Sequence, residues 1–168
     1  MPSDTFEIIL KGGHVIDIAN NINGKMDVGI SKNKIAKVAE KIEDINNSAQ
    51  VIDVSGYYVT PGLIDIHTHV YRFRSNDGYI ESMVVDAHLP ASGVTTTVDA
   101  GTAGWEGFPE FKERCIDKAK TRVFAFLNIA RGGMAYQSTE QNPKDMHPKI
   151  TAALVDKYSD IIVGIKAA

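Results

Sequence analysis

Residues 6–54 alternate short apolar stretches with turn-forming segments. The stretches are FEIIL, HVIDIA, MDVGI, KIAKVA and VIDV, and turns are predicted at Gly12-Gly13, Asn20 to Gly24 and Ser31 to Asn33. Such short apolar runs predict β-strands. Because the strands alternate imperfectly, the unit is expected to need further strands or another domain to complete its core. We predict a small β-sandwich-like domain over residues 1–59.

From Thr60 onward, apolar strands alternate with helical patterns. Strands are predicted at 62–67, 93–99, 122–129 and 160–166. Between them, apolar residues recur at helical spacing in three groups: Ile80, Met83, Val84 and Ala87; Phe108, Phe111, Cys115 and Ala119; and Ile150, Ala153, Leu154 and Tyr158. Pro148 suits the first turn of the third helix. Repeated βα units of this kind predict an α/β fold with a parallel sheet.

Four βα units make half of a (β/α)8 TIM-type barrel, which needs about 250 residues in total. Residues 60–168 are therefore predicted to form the first half of such a barrel. An exposed half barrel would leave a parallel edge and an apolar face uncovered. We expect the sequence to be the N-terminal portion of a longer protein.

Residues 130–147 form a long irregular stretch after the third predicted strand. In a βα barrel such a loop lies on the C-terminal face, where active sites are found. Two interpretations remain open at this point, a substrate-binding lid and a solvated surface excursion.

Composition narrows the function classes. The 168 residues are 43% hydrophobic and 23% charged, with a formal net charge of −3, which is typical of a globular protein and favours neither nucleic acid nor an acidic membrane surface as a partner. The N-terminus lacks a signal-peptide pattern and no apolar run approaches the ~20 residues of a spanning helix, so a cytoplasmic protein is expected. Cys115 is the single cysteine, which excludes an intrachain disulfide and a zinc site built from several cysteines.

The pair His67 and His69 is the first candidate for chemistry. Side chains two apart on a strand share a face, so Asp65, His67 and His69 are expected on one face, and both imidazoles can reach one metal ion. Two such histidines can also merely form local hydrogen bonds. Their place at the end of the first strand of a βα series favours the metal interpretation.

Lys166 ends the fourth predicted strand, so its ammonium is expected at the same C-terminal rim. Lysines in such places serve as bases or as points of covalent attachment. A lysine that extends its amine into solvent is the alternative.

Three further polar residues follow strand ends. Asp99 ends the second strand and can orient a histidine without touching the metal, or cap the following turn. Asn128 and Arg131 flank the end of the third strand and can hold a substrate carbonyl or carboxylate, or stabilise the loop. Trp105 and Phe108 can wall a pocket, although core packing is the stronger expectation.

Three other histidines, His14, His88 and His147, have no partner at ligand spacing and are left out of the predicted metal site.

The sequence resembles the amidohydrolase superfamily. The segments that carry the resemblance are VTPGLIDIHTHV, GVTTTVDAGT and VGIKA, and they span nearly the whole chain after the small β domain. The similarity is greatest to the deacetylase-like branch of metallohydrolases, which also includes relatives of dihydroorotase and D-aminoacylase.

The resemblance implies a binuclear metal centre. His67 and His69 would bind the more buried ion, and Lys166, carboxylated by carbon dioxide, would bridge two divalent ions. Zinc is expected, with manganese, cobalt and iron as alternatives that suit the same ligands. The implied reaction is hydrolysis of an amide or ester bond in a small acylated substrate.

The family also uses two histidines and an aspartate from later strands, so the 168 residues alone are expected to be inactive. Dihydroorotases usually carry an arginine, and D-aminoacylase-like members an aspartate, where this chain has Tyr71, which favours a deacetylase. A dihydroorotase- or hydantoinase-type cyclic amidohydrolase and a non-catalytic scaffold relative remain alternatives. The superfamily is often dimeric or larger, which leaves the homo-oligomeric state open.

Overall fold

The computed structural model describes residues 5–45, 47–71, 74–75, 78–79 and 82–167. By its internal contacts the chain divides into two compact units, residues 1–61 and 62–168. Each unit is described by itself. Among the described residues, no helix is both long and apolar enough to cross a membrane.

The first unit is a five-stranded sheet. Its strands are β1 (Ile8–Asp17), β2 (Ile22–Ser31), β3 (Lys34–Ala39), β4 (Gln50–Asp53) and β5 (Tyr58–Val59). The order is β3-β2-β1-β4, and β5 also pairs with β1. The pairs β1–β2 and β2–β3 are antiparallel, whereas β4 and β5 run parallel to β1.

The described residues of this unit form one sheet, and the buried cluster is small, built on Phe6, Ile9 and Ile42. The sandwich-like arrangement stays a prediction. One expectation needs correction. The predicted turn at Gly12-Gly13 is a β-bulge inside one continuous strand, where Gly12 adopts a φ of +73°. Glycine permits both a turn and a bulge, so its presence alone does not separate them.

The bulge has a polar partner in the next strand. Asp27 is buried and accepts hydrogen bonds from the Lys11 ammonium (2.7 Å), the Gly12 amide (2.8 Å) and the Ile42 amide (2.9 Å). Lys11 also donates to the Ile42 carbonyl at 2.6 Å. One carboxylate therefore joins β1, β2 and the segment that follows β3.

The second unit is built on a four-stranded parallel sheet. Its strands are β6 (Leu63–Thr68), β9 (Val94–Gly104), β10 (Arg122–Asn128) and β11 (Ile162–Lys166), in the order β11-β10-β9-β6, and a two-stranded ribbon of β7 (Arg74–Ser75) and β8 (Gly78–Tyr79) follows β6. All three strand pairs of the larger sheet are parallel. The four predicted strands are confirmed, with the second extending five residues beyond its predicted end at Asp99.

The helices of this unit are α1 (Val85–His88), α2 (Phe108–Arg114), α3 (Gln137–Glu140) and α4 (Pro148–Lys157). Pro148 occupies the first turn of α4, as predicted. The first predicted helix is wrong in extent: Ile80 lies outside the described residues, and the Met83 amide donates to the His69 carbonyl instead of joining a helix. The helical turn at Pro90–Ser92 follows α1 after a single residue.

The core of the second unit lies between the sheet and its helices. Phe108 and Phe111 of α2 are fully buried and pack with Val123, Ala125 and Leu127 of β10. Phe108 therefore belongs to the core, in line with the stronger of its two expectations. The two edge strands keep apolar side chains exposed, among them Ile64 and Ile66 on β6 and Ile165 on β11.

Candidate metal centre

The two histidines lie together at the carboxyl end of β6. Their ring centroids are 5.5 Å apart in an edge-to-face arrangement. The Asp65 carboxylate, expected on the same face, accepts the backbone N–H of His67 at 3.0 Å. Asp65 thus orders the backbone that enters His67.

A pair of buried threonines fastens β6 to β9. The hydroxyls of Thr68 and Thr97 lie 2.6 Å apart, and Thr97 also donates to the Asp65 carbonyl at 3.1 Å. Thr68 stands between the two histidines in sequence, so this contact fixes the strand segment that carries them. Buried hydroxyls that are fully bonded rigidify their surroundings.

His69 continues into a chain of hydrogen bonds that ends on Asp99. The Nδ1 atom of His69 is 2.8 Å from the Thr102 hydroxyl, and this hydroxyl donates to Asp99 Oδ2 at 2.9 Å. Asp99 further accepts the backbone N–H groups of Val70 and Thr102, each at 2.8 Å. The predicted role of Asp99, orienting a histidine without touching the metal, is therefore geometrically available through Thr102.

Burial sets the protonation tendencies of this chain. Removal from water raises the pKa of Asp99, although its three hydrogen bonds and the nearby His69 act against the rise. Burial also lowers the pKa of His69, helped by the charges of His67 and Lys166 and opposed by those of Asp99 and Glu140. A lowered pKa keeps the imidazole of His69 neutral, which is the form that binds metal.

Lys166 ends β11 opposite Asn128 of β10. In the register, Ala125 pairs with Ile162 whereas Phe126 pairs with Gly164, so Val163 is an extra residue in β11. Ile162 belongs to the core beneath the helices. Without the bulge, alternation would place Lys166 on the face of Ile162, because the side-chain period of a strand is two.

Gly101 lies against the Lys166 side chain. It has a φ of +82°, and a Cβ atom at this position would come within 2.5 Å of Lys166 Cγ. Only glycine leaves room for the lysine at this point and tolerates the backbone conformation.

Asn128 serves the loop rather than an open pocket in this structure. Its side chain is 1% exposed, donates to the Gly101 carbonyl (3.1 Å) and to Glu140 Oε1 (2.6 Å), and accepts the Ala130 amide (2.9 Å). These contacts match the loop-stabilising alternative. They also bring the Glu140 carboxylate to the strand end.

Arg131 is likewise engaged. Its Nε atom lies 3.3 Å from Asp145 Oδ1 and 4.0 Å from Glu106 Oε2. Trp105 donates to the Asp145 carbonyl at 3.3 Å and contacts the His147 ring edge-on. The predicted irregular segment 130–147 is therefore tied to the strand ends at several points, and it contains three short helical turns.

Tyr71 is turned away from this edge. It is 4% exposed, its ring packs on Phe111 with centroids 5.0 Å apart, and its hydroxyl bonds to Glu110. Burial, reinforced by the charge of Glu110, raises the pKa of Tyr71. Tyr71 is thus part of the helix-facing core of this unit.

The sequence interpretation missed two residues of this edge, Thr102 and Glu140. Thr102 lies three residues beyond Asp99 in the run DAGTAG, and a hydroxyl residue so close to a candidate aspartate gives a usable signal. Glu140 belongs to the irregular segment, where no periodicity points to a direction.

The donor set fits a divalent metal in part. His67 and His69 offer two imidazoles from one strand end, and the bond from Nδ1 of His69 to Thr102 leaves Nε2 for an ion. Among the described residues no group of three or more His, Cys, Asp or Glu side chains is placed to hold one ion. Lys166 supplies an oxygen ligand only after carboxylation, since its amine is cationic when protonated.

The chain is similar to several known proteins. The chain is 30% identical over 169 residues to a deacetylase of Enterococcus faecalis, covering 96% of this chain and 41% of the relative. It is 42% identical over 64 residues to a dihydroorotase of Syntrophus aciditrophicus, covering 38% of this chain and 15% of the relative. No family model matches the sequence.

A solved structure of an adenine deaminase superposes with a TM-score of 0.75 at 28% identity, covering 96% of this chain and 41% of that one. The chain thus spans well under half the length of the deacetylase and of the deaminase.

Proposed function

Because the chain belongs to the amidohydrolase superfamily, as its similarity to deacetylases, dihydroorotases and an adenine deaminase shows, we propose that the full-length protein is a metal-dependent hydrolase of acyl amide or ester bonds. The proposed substrate is a small acetylated or otherwise acylated compound. Residues 60–168 are proposed to contribute the first half of the barrel.

One observation carries the proposal. A pair of histidines ends β6, a lysine ends β11, and the two strands belong to one parallel sheet whose carboxyl ends share an edge. The charge of Lys166 also lowers the pKa of His69, which supports a shared site at that edge.

In the proposed site, His67 and His69 would hold one divalent ion and carboxylated Lys166 would be shared by two. Bound ions of this kind supply a hydroxide near neutral pH and polarise a carbonyl oxygen. The chain's own residues hold this site in place: Thr68 and Thr97 fix the histidine strand, Thr102 holds the ring of His69, and Gly101 with Asn128 confines Lys166. The proton acceptor for the reaction would come from outside these 168 residues, which are therefore proposed to be inactive alone.

Metal analysis of the full-length protein tests the binuclear centre. We expect two divalent ions per chain under metal-replete conditions, and fewer than one would contradict the proposal. Mass spectrometry under native conditions should show an increase at Lys166 equal to carbon dioxide. Retention of both metal and rate in Lys166→Ala would remove the carbamate from the proposal.

A cyclic amidohydrolase of the dihydroorotase type is the second candidate, supported by the 42% identity to a dihydroorotase over 64 residues. The burial of Tyr71 against Phe111 favours the deacetylase. Parallel assays with dihydroorotate and with acetyl esters and N-acetyl compounds separate the two candidates. Turnover of dihydroorotate alone would decide for the second, and no turnover in a metal-replete sample would favour the non-catalytic scaffold.

A further inference from the structure

A threonine stands between the buried carboxylate and the histidine pair. Thr102 is 2% exposed and Asp99 is 0% exposed. Among the described residues, their side chains have no hydrogen-bond partners other than those given above. The contact between His69 and Thr102 joins the end of β6 to the end of β9.

The direction of these hydrogen bonds follows from counting protons. A threonine hydroxyl has one proton to donate, and an ionised carboxylate can only accept. Both oxygens of Asp99 already accept backbone N–H groups, from Val70 and from Thr102. The Thr102 hydroxyl therefore directs its proton to Asp99 Oδ2 and has only lone pairs left for His69.

We infer that Thr102 is a positioning residue that fixes the tautomer of His69, holding the proton on Nδ1 so that Nε2 is presented as a lone pair to a divalent metal. The bond made by one ring nitrogen sets the state of the other. Groups that hold ligating histidines in this way typically affect metal affinity by about 10–100-fold.

His67 differs from His69 in this respect. Its ring has no hydrogen-bond partner among the described residues, and its side chain is exposed. Of the two histidines, only His69 should therefore show a single tautomer before any metal binds. This contrast gives an internal reference within the same protein.

The first test uses the metal-free full-length protein at about pH 8, above the ordinary pKa of histidine. Nitrogen-15 NMR of the imidazoles should show His69 protonated on Nδ1 and His67 as a mixture of tautomers. Thr102→Val removes the hydroxyl at nearly constant shape and should shift His69 toward protonation on Nε2. Thr102→Ser keeps the hydroxyl and should preserve the wild-type signal.

The control is Thr151→Val. Thr151 is fully buried and donates one side-chain hydrogen bond, to the His147 carbonyl at 3.0 Å, so its substitution removes a comparable bond at a distance from His69 in the fold. It should leave the His69 signal unchanged. If Thr102→Val does not fold, the wild-type spectrum still decides, because a His69 protonated on Nε2 overturns the inference.

The second test measures zinc affinity by competition with a chelator. We expect Thr102→Val to bind zinc about 10–100-fold more weakly, with Thr102→Ser and Thr151→Val within about threefold of wild type. Equal affinity in Thr102→Val and wild type would overturn the role in metal binding. This arm rests on the proposed function, whereas the NMR arm does not, so a protein that binds no zinc but keeps the Nδ1 tautomer would refute the metal centre alone.

Discussion

Asp27 in the first unit and Asp99 in the second are both buried carboxylates that accept three hydrogen bonds. They differ in one partner. Asp27 receives the Lys11 ammonium, whereas the donors to Asp99 are two backbone amides and a hydroxyl. Burial alone would raise either pKa, but the bonds from Lys11, Ile42 and Gly12 outweigh it and lower the pKa of Asp27, while the pKa of Asp99 is raised.

The Asp27 carboxylate therefore stabilises its unit, whereas the charged form of Asp99 is held at a cost in folding free energy. A lowered pKa means that folding favours the charged form of Asp27. A raised pKa means that folding disfavours the charged form of Asp99, which is the form that accepts the Thr102 proton. A charge held at such a cost is consistent with a role of Asp99 toward another group, which here is His69.

Removing the Asp27 carboxylate should have the largest effect. Asp27→Ala would leave the Lys11 ammonium and two amides without their acceptor, and we expect the first unit to lose about 3–5 kcal/mol of unfolding free energy. Urea unfolding measures this loss. In the exposed Lys41–Glu43 pair of the same unit, Glu43→Ala should leave the unfolding free energy nearly unchanged, because solvent screens such a pair. Equal losses of unfolding free energy in the two variants would show that the buried Asp27 contributes no more to stability than the exposed Glu43.

Asp99→Asn should instead affect metal binding. The amide can donate a proton to Thr102, which turns the hydroxyl toward His69, and zinc affinity of the full-length protein should fall by about 10–100-fold. Asp27→Asn is the matched substitution and should leave zinc affinity unchanged. Calorimetric titration with zinc measures both, and a similar fall in both variants would erase the distinction drawn between the two aspartates.

Lys11→Met should make the first site resemble the second. The substitution keeps the apolar stem and removes the ammonium, so the bond to Asp27 is lost and the unit should be destabilised by about 1.5–3 kcal/mol. The pKa of Asp27 should rise above its wild-type value. An NMR titration of the carboxyl follows this change, and an unchanged pKa would show that the backbone amides alone account for the lowering.

The smallest expected effects are changes of the unfolding free energy with pH. Because its pKa is lowered, Asp27 contributes stability at neutral pH that is lost as the pH falls below about 4, the ordinary aspartate pKa, and through the folded value. For Asp99 the sign is opposite, since a raised pKa makes its unit gain stability as the pH falls through the folded value. In urea unfolding from pH 7 to pH 3, the destabilisation by Asp27→Asn should shrink and that by Asp99→Asn should grow. Parallel slopes would contradict the assignment.

The strands of the second unit were predictable because short runs rich in apolar and β-branched residues alternate with segments of helical spacing. The two imidazoles lie together as expected, although β6 ends at Thr68 and its register with β9 shifts between Asp65 and Thr68. The extent of the first helix was wrong at Met83, which satisfies helical spacing although its amide donates to the His69 carbonyl. The spacing of apolar residues carries no information about such a long-range hydrogen-bond partner.

The spacing of apolar residues could not predict the β-bulges or the hydroxyl contacts. Gly12 and Val163 each shift a register by one residue, yet neither differs locally from a residue in a regular strand or turn. Thr102 meets a histidine 33 residues earlier in sequence, and this proximity arises only when β6 and β9 pair.

The extra residue at Val163 gives the fourth strand of the second unit a change of phase. Before Val163, Ile162 belongs to the core. After it, Lys166 lies an even number of residues from Ile162 but on the opposite face, beside Asn128. A length change of one residue in this strand would therefore exchange the faces of everything between the bulge and the lysine. Sequences that carry the same lysine but differ by one residue in this segment should not be assumed to share its chemistry, however well their remaining letters align.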